Sequence, residues 1–331
     1  MATSLLAFLV PSILFLASVP PSHPHLSLDH YKKTCPRFNE IMLQVISEKQ
    51  IHYPSTAAGT LRLFFHDCIV EGCDGSILIS STAFSKAERD HELNAGLPGD
   101  AFEVITRAKS ALEIECPGVV SCSDIIAVAT RNLVTIVGGP FYQVRLGRKD
   151  GLTSNISRVD GNLPNPKMPM SEIISFFTSR GFTVEDMVAL LGSHTIGFSH
   201  CKEFSDRLFN FSKSSETDPA YHPEYAAGLK KLCANYTKNP DMSAYNDVMT
   251  PGKFDNMYYQ NLKKGLGLLA TDSALVRDKR TGPFVDLYAA NETAFFQAYG
   301  RAMEKLGEYK VKTGKEGEIR RSCDDFNIIK T

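Results

Sequence analysis

The chain has 331 residues, 43% of them hydrophobic, which is enough to bury a sizeable core in one large domain or two joined halves. Its formal charge is −1 and its isoelectric point about 6.8. With no basic tract and no acidic tail, the composition argues against a nucleic-acid binder and against a solvating arm.

The chain opens MATSLLAFLVPSILFLASVPPSHPH, in which the apolar run LLAFLVPSILFLA is too short and too interrupted to span a bilayer. It reads as a secretory signal peptide, residues 1–22, although no Lys or Arg precedes the apolar core. A buried N-terminal helix is the plainer alternative. Residues 23–331 form the remaining domain, and no other segment is apolar enough to cross a membrane. Helical periodicity dominates from there on. Ile41, Val45 and Ile46 share one side of 38–52, and Val104, Ala108 and Leu112 recur at i, i+4, i+8. SCSDIIAVATRNLVTIVGGP starts with an S-x-x-D capping signal and stops at Gly-Gly-Pro, and Thr183 to Asp186 repeats that signal before VEDMVALLGSHTIG. FYQVRLG is the best strand signal in a chain with few of them. Phe295, Phe296, Tyr299, Met303 and Leu306 make a last stripe. The expectation is a mostly α protein of about ten helices.

Eight cysteines behind a signal peptide argue for four disulfides, and 105 possible connectivities leave their pairing open. Zinc is the rival use of cysteine, but no close CxxC pair exists. Sequons at Asn155, Asn210, Asn235 and Asn291 agree with secretion and are candidate glycosylation sites.

The chemistry concentrates in LRLFFHDCIVEGCDGSILI, residues 61–79. Arg62 and His66 are four apart and share a helix face. A neutral imidazole can take a proton there, and a fixed guanidinium can stabilise developing negative charge. An ordinary surface pair is the bland alternative, but Leu61, Leu63, Phe64 and Phe65 make the setting apolar. Asp67, Asp74, Ser76 and the later Glu88 are hard oxygen donors, with Gly72 and Gly75 letting the loop turn between them, a pattern suited to calcium. A bridge between Cys68 and Cys73 would pin that loop, adding only about 2 kcal/mol in the chain-entropy picture. His194, in LLGSHTIGFSH, follows Met187 by seven and Leu191 by three and faces inward if the helix continues. A satisfied core histidine is the commoner outcome, and a haem iron ligand the functional one. His200 lacks a comparable apolar setting.

LRLFFHDC…GCDGSILI, together with SHTIGFSHC and FDNMYYQNL, resembles the plant secretory (class III) haem peroxidases from about Tyr31 to Cys323. The resemblance implies the α-helical peroxidase fold, with one haem b between a distal and a proximal half. It implies His66 as distal acid and base, Arg62 as its cationic partner, Phe65 beside them, and Asn94 as acceptor of the His66 ring proton. His194 would be the iron ligand and Asp272 the acceptor of its other ring N–H. One calcium would take Asp67, Val70, Gly72, Asp74 and Ser76, with Glu88 linking it to the distal pocket. A second would take Thr195, Asp247, Thr250, the Lys253 carbonyl and Asp255. Pro164 would line the aromatic-substrate site, and Asp124 with Arg148 would be a buried structural pair. The implied disulfides are Cys35–Cys116, Cys68–Cys73, Cys122–Cys323 and Cys201–Cys233. Departures from the commoner pattern are SHTIG for AHTIG, GRKDG for GRRDG, and Phe141 or Tyr142 where a tryptophan is usual. The implied activity is reduction of hydrogen peroxide with one-electron oxidation of small phenols, in a monomer secreted to the cell wall, with roles in wall phenolic oxidation and peroxide removal. A haem-free wall-binding protein on the same scaffold is the alternative from another class, and a zinc hydrolase a third.

Overall fold

The computed structural model describes residues 26–327, so the signal segment read at 1–22 lies outside the described residues. Among the described residues there are twelve α-helices: α1 Phe38–His52, α2 Thr56–Ile69, α3 Gly99–Glu115, α4 Cys122–Ile136, α5 Met170–Thr178, α6 Val184–Leu191, α7 Ser205–Leu208, α8 Pro223–Leu232, α9 Met257–Lys263, α10 Ala270–Arg277, α11 Gly282–Ala290 and α12 Glu292–Gly307. No helix among them is long and apolar enough to cross a membrane.

Both capping signals act as read. Ser121 accepts the Asp124 N–H at 3.2 Å and starts α4. The Asp186 N–H donates to Thr183 Oγ1 at 3.0 Å and the Thr183 N–H to Asp186 Oδ2 at 2.9 Å, which starts α6 and satisfies two N–H groups that a helix leaves orphaned. In the first half α2 packs on α4, and α1 lies against α3 and α4. In the second half α6 packs on α12 and α9 on α11, while α12 also reaches α2 and so joins the halves. Ile41 and Ile46 are buried under α1, and Val104, Ala108 and Leu112 under α3.

The stripe on α12 faces the core of the second half. Phe295 and Tyr299 are fully buried, and Phe295 lies 5.0 Å ring to ring from Tyr259 and 5.8 Å from Phe254. Removing so large a buried ring leaves a cavity that packed neighbours fill only in part. Phe295→Ala is expected to cost about 3–5 kcal/mol, read as a fall in the thermal unfolding midpoint.

The segment FYQVRLG is not a strand. Leu146 forms only an isolated bridge to Ser27. The reason is local: the N–H groups of Gly147 and Arg148 donate to the buried Asp124 carboxylate, at 2.7 and 3.3 Å, instead of to a neighbouring strand. The strands that do form are β1 Phe198–His200 and β2 Ser243–Tyr245, paired antiparallel with Phe198 opposite Tyr245.

Four disulfides tie the fold: Cys35–Cys116, Cys68–Cys73, Cys122–Cys323 and Cys201–Cys233. Cys122–Cys323 closes a span of 201 residues, the kind of long loop for which the chain-entropy picture gives about 5 kcal/mol. The sequon asparagines Asn155, Asn210, Asn235 and Asn291 are all exposed.

Candidate active site

One turn of α2 separates Arg62 from His66, and both side chains line a cavity of about 300 Å³. The His66 ring is 7% exposed, and its Nδ1 is 2.6 Å from Asn94 Oδ1. The Asn94 amide cannot turn over freely, because its Nδ2 donates to the Glu88 carbonyl at 2.7 Å. The Asn94 oxygen therefore faces the ring, Nδ1 carries the proton, and Nε2 keeps a lone pair toward the cavity. Arg62 Nε donates to Nε2 at 3.2 Å, while the same guanidinium is fixed by the carbonyls of Gly96 at 2.9 Å and Leu93 at 3.0 Å. Burial, and then the Arg62 charge, push the His66 imidazole down to about 3, against the bond to Asn94. The ring is thus a neutral base throughout the ordinary pH range. Phe65 packs beside it, 6.2 Å from the Phe177 ring, and Pro164 lines the same cavity.

His194 enters the cavity from the other half. The helix does not continue to it: α6 ends at Leu191 and tightens into a 3-10 turn, Gly192–Thr195. The tighter turn still carries His194 into the cavity, with Ser193 held 3.1 Å from the Tyr299 hydroxyl. His194 Nδ1 is 2.9 Å from Asp272 Oδ1. Asp272 is fully buried, and Tyr258 donates to the same oxygen at 2.8 Å. Burial pushes the Asp272 carboxyl up, but the His194 ring, Tyr258 and the Leu269 N–H outweigh it and hold the carboxyl below its usual range. That bond fixes the tautomer of His194 and leaves Nε2 as a lone-pair donor. Leu190, Ile173, Phe177, Met303 and Leu306 wall the cavity. An imidazole whose Nδ1–H is held by a buried carboxylate, within apolar walls, suits a haem iron.

Two oxygen clusters flank this site. At the end of α2, Asp67, Asp74 and Ser76 are fully buried. Asp67 Oδ2 accepts the Gly75 N–H at 3.0 Å, and Asp67 Oδ1 is buried with no partner. Ser76 Oγ donates to Glu88 at 3.0 Å, so the cluster joins the network that reaches His66 through Asn94. Val70 ends the helix and Gly72, at φ +122°, turns the loop between the carboxylates. Burial and then the Asp74 charge push the Asp67 carboxyl well up. In the second half, Thr195, next to His194, lies 3.4 Å from both the Lys253 carbonyl and Asp255 Oδ1. Thr250 bonds Asp255 at 3.1 Å and Asp247 at 3.3 Å, and Asp247 is fully buried. Buried carboxylates joined by hydroxyl and carbonyl oxygens fit a hard cation. Among the described residues no three His, Cys, Asp or Glu side chains converge as ligands, which is the arrangement a zinc site uses.

Three contributions were not read from the sequence. Tyr258 shares Asp272. His200, set aside for its polar setting, lines the cavity with its Nδ1 buried and unpartnered. Lys312 and Arg158 reach the first oxygen cluster from far along the chain.

Residues 42–291 match the family model described as peroxidase. Among curated relatives, the chain is 59% identical to Peroxidase 6 of Arabidopsis thaliana over 92% of its length and 94% of that protein. It is 59% identical to Peroxidase 65 of the same plant, over 92% and 90%. To Peroxidase 41 it is 57% identical, over 97% and 95%.

Proposed function

The chain belongs to the peroxidase family, and from that premise we propose a secreted, monomeric haem b enzyme that reduces hydrogen peroxide and oxidises small phenols. The observation that carries the reading is that His66 and His194 open on one cavity from opposite halves, with their Nδ1 atoms bonded to Asn94 and Asp272. A haem-free binding role on this scaffold calls for neither polarised histidine. Each of the two oxygen clusters takes one calcium in this reading, and each sits one residue from an active-site histidine, Asp67 beside His66 and Thr195 beside His194.

Haem, when bound, supplies the redox-active iron, with His194 Nε2 as its protein ligand. The rest is the work of this chain's residues. His66 Nε2 takes a proton from hydrogen peroxide and returns it to the oxygen that departs as water. Arg62, already aimed at Nε2, stabilises the negative charge that builds as the O–O bond breaks. Asn94 holds the ring so that the same nitrogen both accepts and delivers the proton. Two phenols then each give up one electron and one proton on the side lined by Pro164, and a second water forms. The overall balance is one peroxide and two phenols to two waters and two phenoxyl radicals.

Because His66 stays neutral until about pH 3, the rate of reaction with peroxide is expected to hold level from pH 7 to about 4.5 and to fall toward pH 3. Stopped-flow mixing after a pH jump reads it, and a loss centred near 6.5 would contradict this assignment. The functional reading itself is tested by reconstitution. One haem per chain, with peroxide-dependent oxidation of guaiacol that His194→Ala abolishes, supports it. Absence of haem uptake in the presence of calcium overturns it.

A further inference from the structure

We propose that Lys312 and Arg158 are resident counter-cations of the first oxygen cluster, so that this cluster binds calcium more weakly than the second and keeps its fold when calcium is withdrawn. The inference rests on the reading of that cluster as a cation site.

Lys312 Nζ lies 2.5 Å from Asp74 Oδ2. Arg158 donates to Glu88 Oε1 at 2.6 Å, reaches Asp74 Oδ2 at 3.8 Å, and bonds Glu71 on the rim at 2.8 Å. Asp67, Asp74 and Glu88 place three carboxyl groups in a fully buried site. Lys312 and Arg158 set two cationic side chains against them, Arg158 being shared with Glu71 on the rim, so less uncompensated negative charge is left for a divalent ion to meet. Affinity of oxygen sites for calcium follows the charge of the ligand set, and a carboxylate oxygen engaged by an ammonium must be released before it can bind metal.

Lys312 is held there by the fold. The segment 309–312 is laid across the loop 70–76: the Cys73 N–H donates to the Tyr309 carbonyl at 3.2 Å, and the Lys149 N–H to the Lys312 carbonyl at 2.8 Å. Gly72 is what allows the approach, since a Cβ there would collide with the Lys310 carbonyl. Gly151 presses on the Asp74 carboxylate from another side, where a Cβ would strike Oδ2. Asp74 is thus confined between Gly151 and Lys312. The Lys312 side chain is 28% exposed and that of Arg158 14%. The second cluster has a lysine too, but Lys253 is 64% exposed and touches only Asp255, at 3.3 Å, so it can swing to solvent.

The test uses the haem-loaded protein, dialysed against EGTA and titrated with calcium by calorimetry, with thermal midpoints taken in EGTA and in calcium. The wild type is expected to show two sites differing about tenfold or more in affinity. Lys312→Met should tighten the weaker site about tenfold and make the midpoint depend on calcium more steeply than in the wild type. Lys312→Arg should behave as the wild type. Arg158→Gln gives the same direction through the other cation if Lys312→Met does not fold. Unchanged weak-site affinity and unchanged EGTA sensitivity in Lys312→Met or Arg158→Gln would overturn the proposal while leaving the cation site standing. A single-site isotherm in both wild type and variants would instead remove the cation site, and the proposal with it.

Discussion

Replacing His66 with alanine should leave haem uptake intact and slow the reaction with hydrogen peroxide by about 10²–10⁴-fold, the range of a positioned acid–base group. The magnitude follows from the geometry. His66 Nε2 is the ring nitrogen left unprotonated toward the cavity, since Asn94 takes the Nδ1 proton at 2.6 Å. Arg62 stays in place without the ring, because Gly96 and Leu93 carbonyls hold its guanidinium. The variant therefore loses the proton carrier and keeps the charge stabiliser, so part of the rate enhancement survives. His194 is untouched, and the fold loses the buried ring with its bonds to Asn94 and Arg62. Rapid mixing with peroxide, followed at the Soret band, reads the rate directly. A rate within a few-fold of wild type would show that the proton moves by another route.

Truncating Arg148 to alanine is expected to cost about 3–5 kcal/mol of stability. Arg148 is 1% exposed and donates to Asp124 Oδ1 at 2.7 Å and, twice, to the Gly307 carbonyl at the end of α12. Asp124 takes three more bonds, from the Tyr31 hydroxyl and the Gly147 N–H, each at 2.7 Å, and from the Arg148 N–H at 3.3 Å. The pair thus staples the start of α4 to the last turn of α12, across the two halves. Removing the cation alone leaves a buried carboxylate without its counter-charge and takes both side-chain donors from the Gly307 carbonyl, which is why the cost exceeds that of an exposed ion pair. Replacing both, as in Asp124→Leu with Arg148→Met, should cost less than the sum of the single changes, because no charge is stranded. Thermal midpoints of the four proteins, all loaded with haem and calcium, give the comparison. Additive losses would mean that the pair acts as two independent side chains.

What the sequence made legible was local. Arg62 and His66 at i, i+4 on an apolar helix, the caps at Ser121 and Thr183, and the stripe on α12 all depend on spacing that a helix repeats. His194 shows the boundary of that reasoning: its direction was right, but the turn that carries it is 3-10, set by contacts of Ser193 and the packing of α12 rather than by its own neighbours. FYQVRLG has strand composition, yet a carboxylate 23 residues earlier takes the Gly147 N–H that a ladder would need. Asp272 and Asn94 could be matched to their histidines only by resemblance, since they lie 78 and 28 residues away. Lys312 was invisible for the same reason, 238 residues from Asp74, and no family pattern pointed to it. Long-range partners of buried charges are decided by how helices stack, and periodicity carries no record of that.

In the proposed mechanism, two histidines from opposite halves make one peroxide-reducing site. The most direct measurement is the absorption spectrum of the purified, haem-loaded protein before and after one equivalent of hydrogen peroxide, and again after guaiacol. The Soret band is expected to shift on adding peroxide and to return to its starting position as guaiacol is oxidised. A band that ignores peroxide, in protein carrying one haem per chain, would contradict that mechanism.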